Sequence, residues 1–208
     1  MKIQTEQSVQ WFEKINEKIQ ANKEYLTELD QAIGDSDHGI NMARGFQETV
    51  NKLTGQDYET VSDVMKDAAM TLISKVGGAS GPLFGTAFLK FSMAVKGKEP
   101  VDYDALTNGL EEGLQGVMGR GKATTGEKTM VDVWSSVVAY LKQGEGSFET
   151  DRLSETAKKA MEQTKGMMAT KGRAAYFKEK SIGHIDPGSV SSFYVFDALA
   201  EVLKEAEQ

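Results

Sequence analysis

Leu26-Thr-Glu-Leu-Asp-Gln-Ala-Ile-Gly-Asp-Ser-Asp-His-Gly39 decides between two architectures. If the residues before Gly34 form an apolar strand, Asp35-Ser36-Asp37 is a strand-end Asp-x-Asp nucleophile and the chain is α/β. If they form a helix, the acids lie on a loop between helices. The segment is half polar, and its leucines continue a helical series. Val9, Phe12, Ile15, Ile19, Leu26 and Leu29 recur at spacings of three, four and seven. The helical reading prevails, and the strand-borne nucleophile goes with the strand.

The same spacing extends outward. Leu106, Leu110, Leu114 and Val117 repeat it, as do Val190, Phe193, Leu199 and Val202. The pattern predicts about eight helices, near 5–31, 39–54, 58–75, 80–96, 102–118, 129–143, 149–171 and 188–206. Two short runs are also compatible with strands, around Val131–Val138 and Ser192–Phe196. Breakers separate the helices: Gly-Gly-Ala-Ser-Gly-Pro at 77–82, Gly-Lys-Glu-Pro at 97–100, Gly119 to Gly126, Gly144-Glu-Gly146, and Ile182 to Gly188. None is long enough to link domains. The expectation is one all-α domain over 1–208, a bundle of antiparallel helices with short loops.

Composition narrows the function. The chain has 208 residues, 39% of them hydrophobic, which is enough for a sizeable core. Its 31 acids outnumber 24 bases, giving a net charge of −7, which disfavours a nucleic-acid partner. It has no cysteine, so disulfides, zinc–thiolate sites and thiol nucleophiles are excluded. The start, Met-Lys-Ile-Gln-Thr-Glu-Gln, lacks the apolar run of a secretory signal, and no stretch approaches a membrane span. A cytoplasmic protein is expected.

Asp30, Asp35 and Asp37 repel one another unless a cation or bases neutralise them. Carboxylates alone suit a hard cation such as Mg²⁺ or Ca²⁺. Equally, they could be an acidic helix end, with Asp37 as N-cap of a helix starting at His38. An EF-hand is excluded, because the twelfth position from Asp35 is Phe46 rather than Glu. Gly116-Val-Met-Gly-Arg-Gly-Lys-Ala123 misses the P-loop pattern at Ala123, and it ends a helix instead of following a strand. Both histidines, His38 and His184, stand in glycine-rich loops beside an aspartate. Such loops at helix starts expose backbone N–H groups and the positive end of the helix dipole. Several gathered at one end of a bundle would suit phosphate. Arg173 offers a phosphate fork, and Asp186-Pro-Gly is a turn into the last helix.

Four tracts together resemble the DhaL family, the nucleotide-binding subunits of dihydroxyacetone kinases. They are Ile33-Gly-Asp-Ser-Asp-His-Gly-Ile-Asn-Met-Ala-Arg-Gly-Phe46, Gly77-Gly-Ala-Ser-Gly-Pro-Leu-Phe-Gly-Thr86, Gly126-Glu-Lys-Thr-Met-Val-Asp132, and Gly172-Arg-Ala-Ala-Tyr176 with Ser181-Ile-Gly-His-Ile-Asp-Pro-Gly-Ser189. They occur in order and span nearly the whole chain. The resemblance implies a barrel of eight antiparallel helices with ADP or ATP bound at one end. It implies two Mg²⁺ ions held by Asp30, Asp35 and Asp37. His38, Gly39, Ile40 and Asn41 would open a helix beside the phosphates, and Ala79 and Ser80 would do likewise. Gly121 and Met130 would border adenine or ribose. Arg173 would meet phosphate, and Asp186, Pro187 and Gly188 would close over the nucleotide. No residue of this chain would become phosphorylated.

The family has ATP-dependent members fused behind a dihydroxyacetone-binding domain, and separate subunits of the bacterial phosphotransferase system. In the latter, ADP stays bound and relays phosphoryl from a phosphohistidine protein to dihydroxyacetone on a partner subunit. The length of this chain suggests the separate form. The alternatives are the nucleotide subunit of an ATP-dependent glycerone kinase, or a non-enzymatic nucleotide-binding regulator that docks on a transcription factor. Lys180 stands where relatives often carry Arg, and it is given no binding role.

Overall fold

Helix starts are written into the chain as side-chain caps, and the folded protein uses several of them. The computed structural model describes residues 2–144 and 149–206, so Glu145 and Gly146 of the fourth junction lie outside the described residues. Among the described residues there are nine α-helices: α1 (Thr5–Ala21), α2 (Lys23–Ile33), α3 (His38–Leu53), α4 (Val61–Lys75), α5 (Ser80–Val95), α6 (Tyr103–Gly121), α7 (Met130–Gln143), α8 (Thr150–Gln163) and α9 (Pro187–Glu205). Thr60 caps α4 through Asp63 N, Asp102 caps α6 through Ala105 N, and Asp186 caps α9 through Ser189 N. Thr129 and Asp132 form a reciprocal capping box on α7.

Three expectations change. The first helix breaks at Asn22, whose amide side chain bonds Lys18 O at 2.8 Å, and α2 restarts at the next residue. The helix expected over 149–171 ends at Gln163. A 3-10 turn follows at Thr164–Gly166, then irregular chain and a 3-10 segment at Arg173–Ser181. The Thr164 carbonyl accepts from Met167 N, three residues on, and from the Lys128 ammonium. The only strands among the described residues are β1 (Lys2–Ile3) and β2 (Val101–Asp102), an antiparallel pair matching Lys2 with Asp102. Both runs that were also compatible with strands lie in α7 and α9.

Each of α1, α3, α4, α5, α6, α7, α8 and α9 packs on the next, and α9 returns to α1. The result is a closed ring of eight helices, with α2 set against α3 and α9. Trp11, Phe12, Phe88, Phe91, Trp134 and Phe196 are buried inside it. Trp11 and Phe88 meet edge to face at 5.6 Å, and Trp11 Nε1 donates to Val195 O across the α1–α9 seam. Small residues let neighbouring helices approach closely. On α6, a Cβ at Gly109 would come within 2.8 Å of the Phe91 ring, and one at Gly113 within 3.0 Å of Ala87 O. Ser62 and Ser92 donate to each other's carbonyls at 2.9 and 2.8 Å and clasp α4 to α5. No helix among the described residues is long and apolar enough to cross a membrane.

Candidate nucleotide and metal site

Because the ring alternates direction, α3, α5, α7 and α9 begin at the same end. Their first turns surround one cavity of about 490 Å³. The end of α2 adds Asp30 and Ile33, and the loop before α3 adds Asp35 and Asp37.

Asp30 is buried, and its Oδ2 accepts from the backbone N–H of Asp37 at 2.9 Å and of His38 at 3.1 Å. The cap of α3 is therefore Asp30, supplied by the preceding helix. Asp37, expected in that role, makes no capping bond. Its carboxylate instead bonds Asn41 and, though the residue is exposed, is raised in pKa, first by partial desolvation and then by Asp35. Gly34 leaves room for the Asp30 carboxylate, which a Cβ would overlap. One carboxylate oxygen from each of Asp30, Asp35 and Asp37 lies within 4.8 Å of the others. The donors are all hard oxygens without nitrogen or sulfur, a set that fits Mg²⁺ or Ca²⁺. Arg173 Nη2 stands 2.7 Å from Asp35 Oδ2 and balances part of the charge.

His38 is buried between two serines. Its Nε2 is 2.7 Å from Ser191 Oγ, and its Nδ1 is 3.1 Å from Ser80 Oγ. Burial lowers its pKa from 6.5 to about 4, against the opposing pull of Asp30. The ring is therefore neutral and joins the starts of α3, α5 and α9. The Ser80 hydroxyl, at the start of α5, is spent on this contact.

The cavity gathers Asp30, Asp35, Asp37, His38, Asn41, Ala79, Ser80, Met130, Arg173, Asp186, Pro187 and Gly188. Gly121 lines a smaller pocket of about 250 Å³ that shares Ala79, Leu83 and Met130 with the first. Gly39 and Ile40 line neither. Gly39 is packed on α2, where a Cβ would overlap the Lys23 carbonyl and the Thr27 hydroxyl, and Ile40 is half exposed. Lys128, Thr129, Lys171, Gly172 and Leu83 line the cavity without having been assigned a role from sequence. Lys128 sat in a quoted tract, yet a lysine between polar residues reads as surface. Here it is fully buried.

The DAK2 domain model matches residues 32–201. This chain belongs to the DAK2 domain family. The resemblance drawn from the four tracts is thereby borne out. A DAK2 relative in Lactococcus lactis, "PTS-dependent dihydroxyacetone kinase, ADP-binding subunit DhaL", is 49% identical over 197 residues, covering 94% of this chain and 96% of that protein. In Listeria innocua, "PEP-dependent dihydroxyacetone kinase 1, ADP-binding subunit DhaL" is 48% identical over 194 residues, covering 93% and 94%. The native dihydroxyacetone kinase of C. freundii shares the DAK2 fold with a TM-score of 0.73 at 23% identity, covering 93% of this chain and 34% of that one. The same kinase has been solved in complex with AMP-PNP and Mg²⁺, with a TM-score of 0.73 at 22% identity, covering 93% of this chain and 33% of that one. This chain thus spans about a third of the C. freundii chain.

Proposed function

We propose that this chain is the ADP-binding subunit of a dihydroxyacetone kinase driven by the phosphotransferase system. The observation that carries the reading is the convergence of four helix starts and three aspartates on one cavity. In this reading the bound nucleotide accepts phosphoryl from a phosphohistidine protein and gives it to dihydroxyacetone held on a partner subunit, in the cytoplasm. The names of the relatives at 48% and 49% identity support the choice of donor.

Asp30, Asp35 and Asp37 would hold two Mg²⁺ ions, whose charge offsets that of the phosphates. Phosphoryl transfer depends on positioning and charge neutralisation more than on a protein nucleophile. The protein groups divide that work. Asp30 uses Oδ2 to fix the α3 start, and one of its oxygens lies within 4.8 Å of those of its fellow acids. The α3, α7 and α9 starts are capped by Asp30, Thr129 and Asp186, whereas α5 begins without a side-chain cap. The backbone around Ala79 and Ser80 is thus the natural seat for phosphate oxygens. Arg173 would exchange Asp35 for phosphate once the cation takes the carboxylate. Met130, Leu83 and Gly121 offer an apolar slot for the base. His38, neutral and held by two serines, positions the helix starts and does not attack.

The test has two stages. Denature the purified protein after incubation with ADP and Mg²⁺, and chromatograph the supernatant. Adenine nucleotide is expected in near-stoichiometric amount, and its absence sinks the reading. Then supply candidate donor and dihydroxyacetone-binding proteins and measure dihydroxyacetone phosphate. Nucleotide binding without turnover would point instead to a regulator that docks on a transcription factor. Turnover with free ATP in place of the phosphohistidine protein would reassign the donor.

A further inference from the structure

Lys128 carries two unfavourable features at once. Its side chain is fully buried, and its backbone adopts the left-handed φ of 60°. Two hydrogen bonds offset them. Lys128 Nζ donates to Thr164 O at 2.6 Å and to His184 O. Burial lowers its pKa, while Asp186 and Asp132 favour the charged form.

Those two carbonyls are the two ends of one loop. Residues 164–184 leave the barrel at the end of α8 and return just before α9. Gly183 N donates to Lys165 O at 2.8 Å, so the ends lie side by side in the manner of an Ω-loop. In between, Lys171, Gly172 and Arg173 line the cavity. The middle of the loop rests on Ile33 through Ala169, Ala174 and Phe177, with the Arg173–Asp35 pair beside it. That pair is largely exposed and holds little by itself. At the base of the loop the Lys128 ammonium bridges the Thr164 and His184 carbonyls, beside the Gly183 N–Lys165 O bond and an Asp186 N–Thr164 Oγ1 bond of 3.2 Å.

We propose that Lys128 is a positioning residue whose ammonium ties the two ends of the 164–184 loop together and so holds the loop against the cavity, setting how long a nucleoside diphosphate stays bound. The clause on residence rests on the nucleotide reading above, whereas the tie itself does not. A neutral side chain of the same length would fill the space but could not donate to either carbonyl, so the bridge between residues 164 and 184 would be lost while Thr164 O kept Met167 N.

Lys128→Met and Lys128→Ala in the full chain separate the tie from mere packing. In ligand-free protein, hydrogen–deuterium exchange across 165–184 is expected to quicken at least about tenfold in Lys128→Met, with α4 and α5 unchanged. Wild-type exchange in the loop, or uniform quickening over the whole chain, overturns the proposal. With Mg²⁺ present, ADP release is expected to quicken by about tenfold, with smaller change in association. Propylammonium should restore slow release to Lys128→Ala, whereas tetramethylammonium at equal ionic strength should not. Rescue by both cations or by neither counts against the tie. If neither variant folds, the wild type decides. The Gly183 amide beside the ammonium should exchange about a hundredfold more slowly than a free peptide amide, and unprotected exchange overturns the proposal. If wild-type protein takes up no ADP, the nucleotide reading falls, and the ligand-free exchange alone judges Lys128.

Discussion

At the scale of single residues, the three aspartates differ in what they hold. Asp30 is part of the fold, since two backbone amides depend on it. Asp35 and Asp37 are exposed and repel each other. Asp37→Asn is therefore expected to weaken Mg²⁺-dependent ADP binding by at least about a hundredfold while slightly raising the stability of ligand-free protein. Calorimetric titration and metal-free thermal melting check both halves, and a large loss of metal-free stability would contradict the assignment. His38 gives a pH dependence of definite sign. Its pKa is 6.5 when unfolded and about 4 when folded. As the pH falls below 6.5, the unfolded chain takes up a proton that the folded chain refuses. Stability is lost from about pH 6.5 down to about pH 4, and this group contributes no slope above that window. Between pH 7 and pH 5 the loss is about 2 kcal/mol. Urea denaturation of wild type and His38→Gln at the two pH values tests it. The substitution should flatten the difference.

At the scale of elements, the glycines separate into kinds that their sequence context hides. Gly39 looks like a phosphate-loop residue, yet its role is to let α3 start against α2. Gly39→Ala must push the Lys23 carbonyl away and is expected to cost about 1–3 kcal/mol. Gly119, on the exposed side of α6, has nothing within 4 Å of its notional Cβ. Gly119→Ala should gain several tenths of a kcal/mol from helix propensity. Chemical denaturation of the two single mutants decides the matter. Equal effects would mean that α2 and α3 can separate without cost. Capping follows a similar lesson. Asp186 caps its own helix as the sequence indicates, whereas α3 borrows its cap from eight residues upstream.

On the scale of the whole molecule, the closed ring makes the site a property of the entire chain. Four helix starts reach one cavity only because α9 returns to α1. Ligand binding should therefore stabilise the protein as a unit. At ADP and Mg²⁺ about a hundredfold above Kd, the gain is about 2.7 kcal/mol. For a chain of this size that corresponds to a rise in Tm of roughly 5–10 °C. Differential scanning fluorimetry would show it in wild type, and Asp35→Asn should abolish it. A rise with ADP alone, equal to that with ADP and Mg²⁺, would remove the metal from the account.

The sequence by itself determined the helical class, most element positions and the polar tracts of the site. Each of these rests on local physics: apolar spacing along one face, capping side chains, and glycine or proline at breaks. It also held the acids of 30–37, because three carboxylates so close together require a cation or bases wherever the chain goes. Only the tertiary structure decided which atoms meet. It buried Lys128 between Thr164 and His184, placed His38 between Ser80 and Ser191, and turned Arg173 toward Asp35. It ended α8 at Gln163 where the sequence pattern ran on to 171. Those contacts join residues dozens of positions apart. Their energy depends on desolvation and on geometry fixed by ring closure, neither of which leaves a local signal in the order of residues.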